Sequence, residues 1–544
     1  MATSKKFDRL VEDVLSGRID RRELMATAGA MGIAGPAALA LRASPAGAQD
    51  ASPTPRSGGT LTAIIVDDPN FLDILVSQLA QVRNIMESVY DTLTYLDASD
   101  PTFPIKGRLA KEWSYPEELI MEIKLQEGVT FHNGEDFTAD DVKWTIEYVK
   151  DPATGSLNAA FLEPIETVEV VDPTTIRFHL NKPWAALPFN LSAIQIYSQS
   201  ATADSIAEAP NGTGPFMWNE WVPGDHISLT KNPNYWIEGQ PYLDEIVFRP
   251  IKEKATSLAV MQAGDADVFF TPELKDKETI ENDASLRSVP SLMNDSGYIL
   301  YLNNNRFPMN DQNIRLAAQY ALDRETYFQA FLSGLGEKNT SMWTRTHWAY
   351  DPINDDAFAY DLDKAREHLA AAGYTDGKNA DGDQLSINIV FPKGYPEFKQ
   401  GSEMFQAAMA ELGVDVQVEE LELATWIDRI VNTDEYDMSW DYHFQRALDP
   451  AYTLSYAFFY PPGPQNIGRY EDPEMTDLIE KGGTTLDQDE RKAFYDQFQQ
   501  RWNEYGYGII VGEFPLYHAV SQDVEGFYTN PLFFQDFRTV WLNR

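Results

Sequence analysis

Hydrophobic and polar residues follow different periods along the first part of the chain, and each period predicts a different element. Leu61 to Asp67 is largely apolar, which indicates a buried strand. From Leu79 to Val89 apolar residues recur every three or four positions, which predicts a helix. Leu119 to Leu125 alternates apolar and polar residues, as a half-buried strand does. The chain therefore mixes strands and helices from residue 61 onward.

A hairpin and the start of a helix follow. Gly128 to Gly134 has the composition of a hairpin. Thr138 is the predicted N-cap of the next helix, because Asp141 stands three residues later, at the spacing of a capping box. His132 lies in the hairpin, and we interpret it as a structural residue rather than a ligand contact.

The segment from Asn211 to Pro250 is dense in turn residues and aromatic residues. Gly212, Gly214 and Pro215 mark one tight bend, and Pro223-Gly224-Asp225 forms a hairpin turn between two runs that favour strands. This composition predicts a rigid β segment rather than direct contact with a ligand.

Strands and helices alternate again in the second half of the chain. The predicted elements are a helix at Asp363 to Ala372, a strand at Leu385 to Phe391, a helix at Met404 to Leu412, a strand at Val414 to Val418 and a strand at Tyr436 to Tyr442. This alternation predicts a largely parallel sheet covered by helices.

Composition narrows the class of protein. The 544 residues suffice for two or three domains, and the net charge of −41 argues against nucleic acid or anionic lipid as a partner. The chain contains no cysteine, which excludes disulfides, thiolate catalysis, thiolate metal sites and a lipid-anchored N-terminal cysteine.

The N-terminus has the three-part layout of an export signal. A polar stretch containing Arg21-Arg22 precedes the mildly apolar run from Leu24 to Leu41, and Ala46-Gly47-Ala48 fits a cleavage site. The arginine pair resembles a twin-arginine signal, although Asp20 and Leu24 depart from that motif. The alternative is a retained membrane anchor, since the run is about long enough to span a bilayer.

No enzyme motif stands out. The sequence lacks the nucleophile elbow, the zinc-protease helix, the P-loop and the dinucleotide fingerprint, and its seven histidines include no pair four residues apart. We therefore expect no cofactor and no metal. A glycosidase needs only two carboxylates, so a secreted carbohydrate hydrolase is the non-receptor alternative among 84 acidic residues.

Several strings of residues closely resemble family 5 of the extracellular solute-binding proteins, the peptide, nickel and oligopeptide receptors of ABC importers. They are Gly212-Thr213-Gly214-Pro215-Phe216, Asn232-Pro233-Asn234-Tyr235-Trp236, Pro241-Tyr242-Leu243-Asp244-Glu245-Ile246, Gly264-Asp265-Ala266-Asp267 and the segment from Leu109 to Val142. They occur in the order of the family, and the resemblance covers nearly everything from Gly58 to the C-terminus.

The resemblance implies an α/β, two-lobed periplasmic-binding-protein type II fold with an extra third domain and a ligand cleft between the lobes. It divides the chain into an export signal at 1–48, a flexible leader at 49–59, lobe I at 60–97, 201–298 and 516–544, an extra α/β domain at 98–200, and lobe II at 299–515.

The same resemblance implies a receptor rather than an enzyme. Such a protein captures a small molecule or peptide at the periplasm or cell exterior after signal cleavage and delivers it to ABC permease subunits in the membrane. We expect a monomer whose lobes close over the ligand, because closure follows from ligand contacts that only the shut form offers.

The resemblance also assigns ligand-binding positions. Gln78 and Ala80 fall just after a turn whose followers approach the ligand, and Asn158 falls where relatives place a cleft-covering tyrosine. Trp426 matches a tryptophan that lines the pocket, and Trp440 is a second candidate for an apolar cleft wall.

The loop before Asp449-Pro450 departs from the family. Counting back from it, His443 takes the place of a tryptophan, and Arg446 takes the place of the aspartate that binds the ligand's α-ammonium in peptide receptors. An arginine repels an ammonium and suits a carboxylate, phosphate or vicinal hydroxyls. The alternative is that Arg446 faces solvent and Asp441 binds the ammonium. A receptor for a non-peptide or blocked solute and a peptide receptor with a rearranged site therefore both remain open.

Overall fold

The computed structural model describes residues 54–544 except 70, 78, 99–103, 291–295, 333, 346, 445–448, 453, 455–465, 514–515 and 529–534. Among the helices of these residues, none combines the length and the hydrophobicity that a bilayer-spanning segment needs.

Strands and helices both occur throughout the described part of the chain. In chain order the strands are β1 Thr60–Ile65, β2 Thr94–Leu96, β3 Ile105–Gly107, β4 Ala110–Glu117, β5 Ile120–Leu125, β6 Ile165–Asp172, β7 Thr175–Leu180, β8 Phe216–Val222, β9 His226–Lys231, β10 Glu245–Pro250, β11 Val268–Phe270, β12 Leu286–Pro290, β13 Ser296–Leu302, β14 Glu337–Lys338, β15 Ser386–Pro392, β16 Asp415–Leu421, β17 Met438–Phe444, β18 Gly508–Glu513, β19 Tyr517–Ser521, β20 Val524–Glu525 and β21 Trp541–Leu542. The α-helices are α1 Ala80–Met86, α2 Ala139–Lys150, α3 Leu187–Asn190, α4 Ala203–Glu208, α5 Lys254–Gln262, α6 Lys277–Glu281, α7 Gln312–Ala321, α8 Arg324–Phe331, α9 Leu362–Ala371, α10 Pro396–Glu411, α11 Leu423–Ile427, α12 Pro450–Tyr452, α13 Pro473–Thr484 and α14 Gln488–Tyr505.

Seven of the described strands form sheet I, in the order β12-β19-β11-β1-β10-β9-β8. The central strand β1 runs parallel to both neighbours, β10 and β11. Its side chains are buried on both faces: Ala63 and Ile65 belong to one hydrophobic cluster, whereas Ile64 belongs to another. This is why the sequence there is continuously apolar instead of alternating.

Sheet II contains six of the described strands, in the order β14-β18-β13-β17-β15-β16. β15 runs parallel to β16 and β17, and α10 connects β15 to β16 as a crossover helix. A third sheet, β4-β5-β7-β6, is antiparallel and packs against α2. Thr138 donates its backbone N–H to the Asp141 carboxylate at 2.8 Å, so the predicted start of α2 is confirmed.

The chain passes from sheet I to sheet II between β12 and β13 and returns between β18 and β19. Pro290 pairs with Tyr517 on sheet I, and Gly297 pairs with Glu513 on sheet II, so the two crossings lie beside each other. Four residue steps separate Glu513 from Tyr517, and an extended chain of that length spans at most about 14 Å. We call the ends of the two sheets that meet here their crossing edges.

The helix after Leu79 ends earlier than its periodicity predicts. α1 stops at Met86 because the carbonyls of Ser88 and Val89 accept hydrogen bonds from Phe216 and Gly214 instead of continuing the helix. A Cβ on Gly214 would lie 2.6 Å from the Val89 carbonyl oxygen, so this close approach of two backbones requires glycine. The bend at Gly214 therefore joins the start of β8 to the segment that follows α1.

A buried charge network ties the C-terminal segment to this lobe. Arg538 contacts the carboxylates of Asp91 and Asp536, and Arg108 donates to Asp536 at 3.0 Å. All four residues are at most 5% exposed. Any packing of the C-terminal segment that separated these residues would leave a buried charge without its partner. The network therefore favours the one packing in which Arg538 and Asp536 contact Asp91 and Arg108.

Glu87 lies next to this network and makes stability depend on pH. It is 3% exposed and accepts a hydrogen bond from Gln195 at 2.8 Å, and burial raises its pKa to about 7 against the opposing fields of Arg108 and Arg83. The unfolded chain releases this proton near pH 4.5, so the free energy of unfolding should fall by about 3 kcal/mol between pH 4.5 and 7. Glu87→Gln should remove that loss. Urea unfolding of both proteins at pH 5 and pH 8 measures it, and an equal pH dependence in the two proteins would contradict the assignment.

Candidate functional site

Three strand ends of sheet I meet at its crossing edge. β1 and β11 are parallel and both end there, and β19 is antiparallel to β11 and begins there. Ligands of α/β proteins bind at the carboxyl ends of parallel strands, because the loops that follow those strands supply polar groups. A ligand site is therefore expected at this edge of sheet I.

A pocket of about 40 Å³ opens at the crossing edge of sheet I. It is lined by Ile65, Val66, Ala80, Gln81, Asn84, Phe270, Thr271 and His518. Ala80, which the resemblance assigns to the ligand site, is the first residue of α1 and lines this pocket; its contact with a ligand stays a prediction. Gln78, which was predicted beside it, lies outside the described residues. We call this cavity the lobe I pocket.

His518 stands in the lobe I pocket as a neutral ring. It is 2% exposed, and burial lowers its pKa to about 3. The backbone N–H of Thr271 donates to its Nδ1 at 3.3 Å, which places the remaining proton on Nε2. Phe270 and Phe527 hold the ring by edge contacts, with centroids 5.5 and 6.1 Å away. Sequence reasoning missed this residue, since nothing near it in sequence marks the pocket.

A carboxylate lies in the strand of sheet II that leads to its crossing edge. Asp441 is the middle residue of β17, three residues before its end at Phe444; it pairs with Ile299 of β13 and is partly buried. Its Oδ1 accepts the Tyr442 backbone N–H at 2.8 Å, and no cation of the described residues contacts it. Burial raises its pKa to about 7, because the one backbone hydrogen bond offsets little of the desolvation. Asp441 is therefore a carboxylate that lacks a positive partner in the described part of the chain.

Trp440 lies elsewhere than the cleft wall predicted for it. It has no exposed surface and stacks on Tyr327 and Phe398, with ring centroids 5.4 and 5.6 Å away. Successive strand residues point to opposite faces, so a strand that turns Asp441 to one face turns Trp440 to the other, into the core of sheet II. Trp440 is therefore a buried core residue of sheet II.

Trp426 is also a core residue in this structure. It is 8% exposed, belongs to the hydrophobic cluster on the opposite face of sheet II, and donates its Nε1–H to Ser439 Oγ at 2.9 Å. Because Ser439 shares a strand face with Asp441, Trp426 supports the strand that presents the carboxylate.

Asn158 is likewise enclosed. It is 1% exposed, donates from Nδ2 to the Leu75 carbonyl at 3.2 Å, and accepts from Arg83 at 3.4 Å. These bonds connect the third sheet's domain to the segment after β1. The amide thus joins two parts of the chain, a different role from the cleft cover predicted by the resemblance.

The remaining predicted positions surround the loop after β17. The backbone of His443 pairs with Gly297 at the crossing edge. Arg446 lies outside the described residues. Directly after that loop, Arg491 of α14 binds the Asp449 carboxylate with both guanidinium ends, one at 2.9 Å, and both residues are buried. Sequence reasoning missed this ion pair.

His132 has the structural role expected of it. Its Nε2 donates to the Gly214 carbonyl at 2.9 Å, and its Nδ1 accepts from the Gly212 backbone at 3.4 Å. Burial lowers its pKa, so the ring stays neutral and holds the glycine bend against the hairpin.

Comparisons with known proteins agree with this architecture. The profile of the family described as bacterial extracellular solute-binding proteins, family 5 Middle, matches residues 104–465. Heme-binding protein A of Haemophilus influenzae is 27% identical, with 80% of this chain and 83% of that protein covered. Probable di/tripeptide-binding protein 5 of Pseudomonas aeruginosa is 26% identical, with 90% and 97% covered.

Solved structures are similar over nearly the whole chain. The periplasmic binding protein DppA of Helicobacter pylori, in complex with the peptide STSA, has a TM-score of 0.72 and 26% identity, covering 90% of this chain and 99% of its own. HbpA2 of Haemophilus parasuis has a TM-score of 0.79 at 23% identity, covering 89% and 100%, which supports the fold alone.

Proposed function

Because the chain belongs to the bacterial extracellular solute-binding proteins of family 5, we propose that it is the substrate-binding component of an ABC importer. It captures a small solute outside the cytoplasmic membrane and delivers it to the permease. The observation that carries this proposal is the pair of adjacent crossings between sheets I and II, with a pocket at the crossing edge of sheet I and a carboxylate in the middle of β17, a strand that ends at the crossing edge of sheet II.

The adjacent crossings favour a closing motion. Two sheets that are joined at one place by two neighbouring segments can rotate about that place while each keeps its own core. We propose that a ligand held by both crossing edges stabilises the shut form, and that it leaves chemically unaltered. The relatives described above are binding proteins, which supports a receptor over the carbohydrate hydrolase that composition alone left open.

We propose a peptide-class ligand whose ammonium group is bound by Asp441. A partly buried carboxylate without a cation costs free energy, and a ligand ammonium recovers that cost by supplying the missing charge. The similar di/tripeptide-binding protein and the peptide-bound DppA fit this class. The competing hypothesis, an acidic or blocked solute held by Arg446, predicts the opposite charge preference.

We also propose that residues 1–48 are a twin-arginine signal that is removed on export, and that the mature protein works as a monomer. The domains then follow the extents inferred from the resemblance, with lobe I built on sheet I and lobe II built on sheet II. Delivery requires ABC permease subunits that recognise the shut form.

Binding and closure can be measured on residues 49–544. We expect a panel of di- and tripeptides to include ligands that bind saturably and compact the protein in solution scattering. At a free concentration 100-fold above Kd, a ligand should raise the free energy of unfolding by about 2.7 kcal/mol. Calorimetry and thermal shifts measure this; matched N-acetylated peptides, acidic opine-like solutes and glycosides serve as comparisons. Absence of both saturable binding and compaction across all four classes would refute the proposed function.

A further inference from the structure

The lobe I pocket contains two buried polar atoms that have no hydrogen-bond partner among the described residues: Nε2 of His518 and Oδ1 of Asn84. Asn84 is 5% exposed and lies on α1, whereas His518 lies on β19, so the two side chains reach the same cavity from opposite ends of the sequence. Buried polar groups are nearly always paired, because leaving one unpaired costs about 1–3 kcal/mol.

The two atoms are chemically complementary to one kind of group. The Thr271 N–H occupies Nδ1 of His518, so Nε2 carries the proton and donates. Oδ1 of Asn84 accepts. A carboxamide presents one acceptor and one donor, and a hydroxyl does the same from a single atom.

The remaining lining of the pocket excludes charge. Its other members are Ile65, Val66, Ala80, Gln81, Phe270 and Thr271, none of which is ionisable. A carboxylate or ammonium entering it would lose hydration without gaining a counter-ion.

Apolar side chains stay exposed at and next to the pocket. Val66, which lines it, is 43% exposed, and Leu79, which directly precedes the lining residue Ala80, is 39% exposed. Large apolar side chains that stay in water beside a polar cavity mark binding surfaces. The volume of about 40 Å³ accommodates a group of roughly three water-sized units, by the measure that one water needs about 10–15 Å³.

We propose that the lobe I pocket is a specificity subsite that binds an uncharged hydrogen-bonding group of the ligand, a carboxamide or a hydroxyl, between His518 Nε2–H and Asn84 Oδ1. This inference deepens the proposed function and rests on it, since it names what lobe I recognises while Asp441 of lobe II recognises charge.

The test uses acetamide as the probe and acetate as its charged isostere. In protein with ¹⁵N-labelled histidine, acetamide should shift the Nε2 resonance of His518 saturably, whereas acetate at the same concentration should not. His518→Phe identifies the resonance and keeps the ring contacts with Phe270 and Phe527. Equal shifts with both probes would overturn the preference for an uncharged group, and no shift with acetamide would identify the pocket as a site for ordered water only; either result overturns the proposal.

Asn84→Leu supplies the second readout. It should weaken acetamide binding at least about ten-fold, the effect of one buried hydrogen bond, while leaving the unliganded protein as stable as the wild type or more so, because an unpaired oxygen is removed. If Asn84 only supported the fold, its replacement would lower the free energy of unfolding instead. His368→Phe, a histidine on α9 of lobe II, is the matched control and should leave acetamide binding unchanged. Unchanged acetamide affinity in Asn84→Leu would sink the inference.

The peptide panel then separates this inference from the proposed function. Tripeptides with asparagine, aspartate or leucine at one position should bind with asparagine preferred at least ten-fold in the wild type, and Asn84→Leu should lose the preference. Peptides that bind without this preference would refute the subsite alone. Acetamide binding without any solute capture would refute the receptor function alone.

Discussion

Asp441→Asn is expected to weaken the capture of peptides with a free ammonium while making the unliganded protein more stable. Asparagine keeps the shape of the side chain and removes its charge. Loss of a partly buried charge partner costs about 2–5 kcal/mol, so affinity should fall at least ~30-fold at pH 8. Calorimetry with a peptide found in the panel and with its N-acetylated form measures the effect. The acetylated form should bind the variant and the wild type equally.

The stability gain follows from the raised pKa. Asp441 titrates near pH 7 in the folded protein but near 3.8 in the unfolded chain, so its contribution to stability is present below pH 3.8 and is lost as the pH rises through 7. The loss amounts to at most about 4 kcal/mol. Asp441→Asn should therefore unfold at higher urea than the wild type at pH 8, and the gain should vanish near pH 4.

The pH dependence of binding gives the same assignment a second test. An ammonium binds the ionised carboxylate, so the affinity of the wild type should be highest near pH 7 and fall by up to ten-fold per unit below it, as Asp441 takes up a proton. It should fall again above about pH 8, as the α-ammonium of the peptide loses its proton. Asp437→Asn is the control, because Asp437 lies just before β17 and accepts the Asn388 backbone N–H at 2.8 Å, away from the crossing edge. Unchanged affinity in Asp441→Asn, or tighter binding of acidic solutes than of peptides, would support the Arg446 hypothesis instead.

The sequence predicted the family and the fold class, and the comparisons confirm both. Local rules explain the success with individual elements. The Thr138–Asp141 capping box started α2 where expected, and Gly373, with φ of 90°, follows the end of α9 as a glycine C-cap does. The longest described helix, α14, was not predicted from the sequence. Its ends nevertheless follow the same rules, since Asp487 caps its start and Gly506, with φ of 61°, follows its last residue.

The candidate site was harder to predict, for two physical reasons. The face that a strand residue occupies depends on the phase of its strand, and a shift of one position moves the side chain to the other face. Trp440 and Asp441 are neighbours in sequence, so Trp440 packs into one hydrophobic cluster of sheet II, whereas Asp441 lies on the face of the other cluster and stays partly buried. The other reason is that Asn84 and His518 line one pocket only because β19 returns to sheet I after the chain has built sheet II. Neither residue carries a local sequence signal of that shared position.

Arg491→Met is expected to destabilise the protein by about 3–5 kcal/mol, because it leaves a buried carboxylate without its cation. That carboxylate belongs to Asp449, which is 7% exposed. The guanidinium also donates to the Gly482 carbonyl at 2.8 Å and stacks on Trp348 with its centre 5.0 Å from the ring. Since Asp449 directly follows the segment containing Arg446, ligand affinity should fall together with stability. Urea unfolding and calorimetry on the same preparation measure both.

A double-mutant cycle separates the stranded charge from the lost packing. Replacing both partners by apolar residues, Arg491→Met with Asp449→Leu, removes the uncompensated carboxylate, and such replacements are often neutral or stabilising. The double variant should therefore be more stable than Arg491→Met alone. Lys481→Met is the control for loss of a cation, because Lys481 pairs with Asp477 on the exposed surface of α13, where an ion pair contributes little. A double variant as unstable as Arg491→Met would show that the contacts of the guanidinium with Gly482 and Trp348, rather than the charge of Asp449, hold the base of the loop.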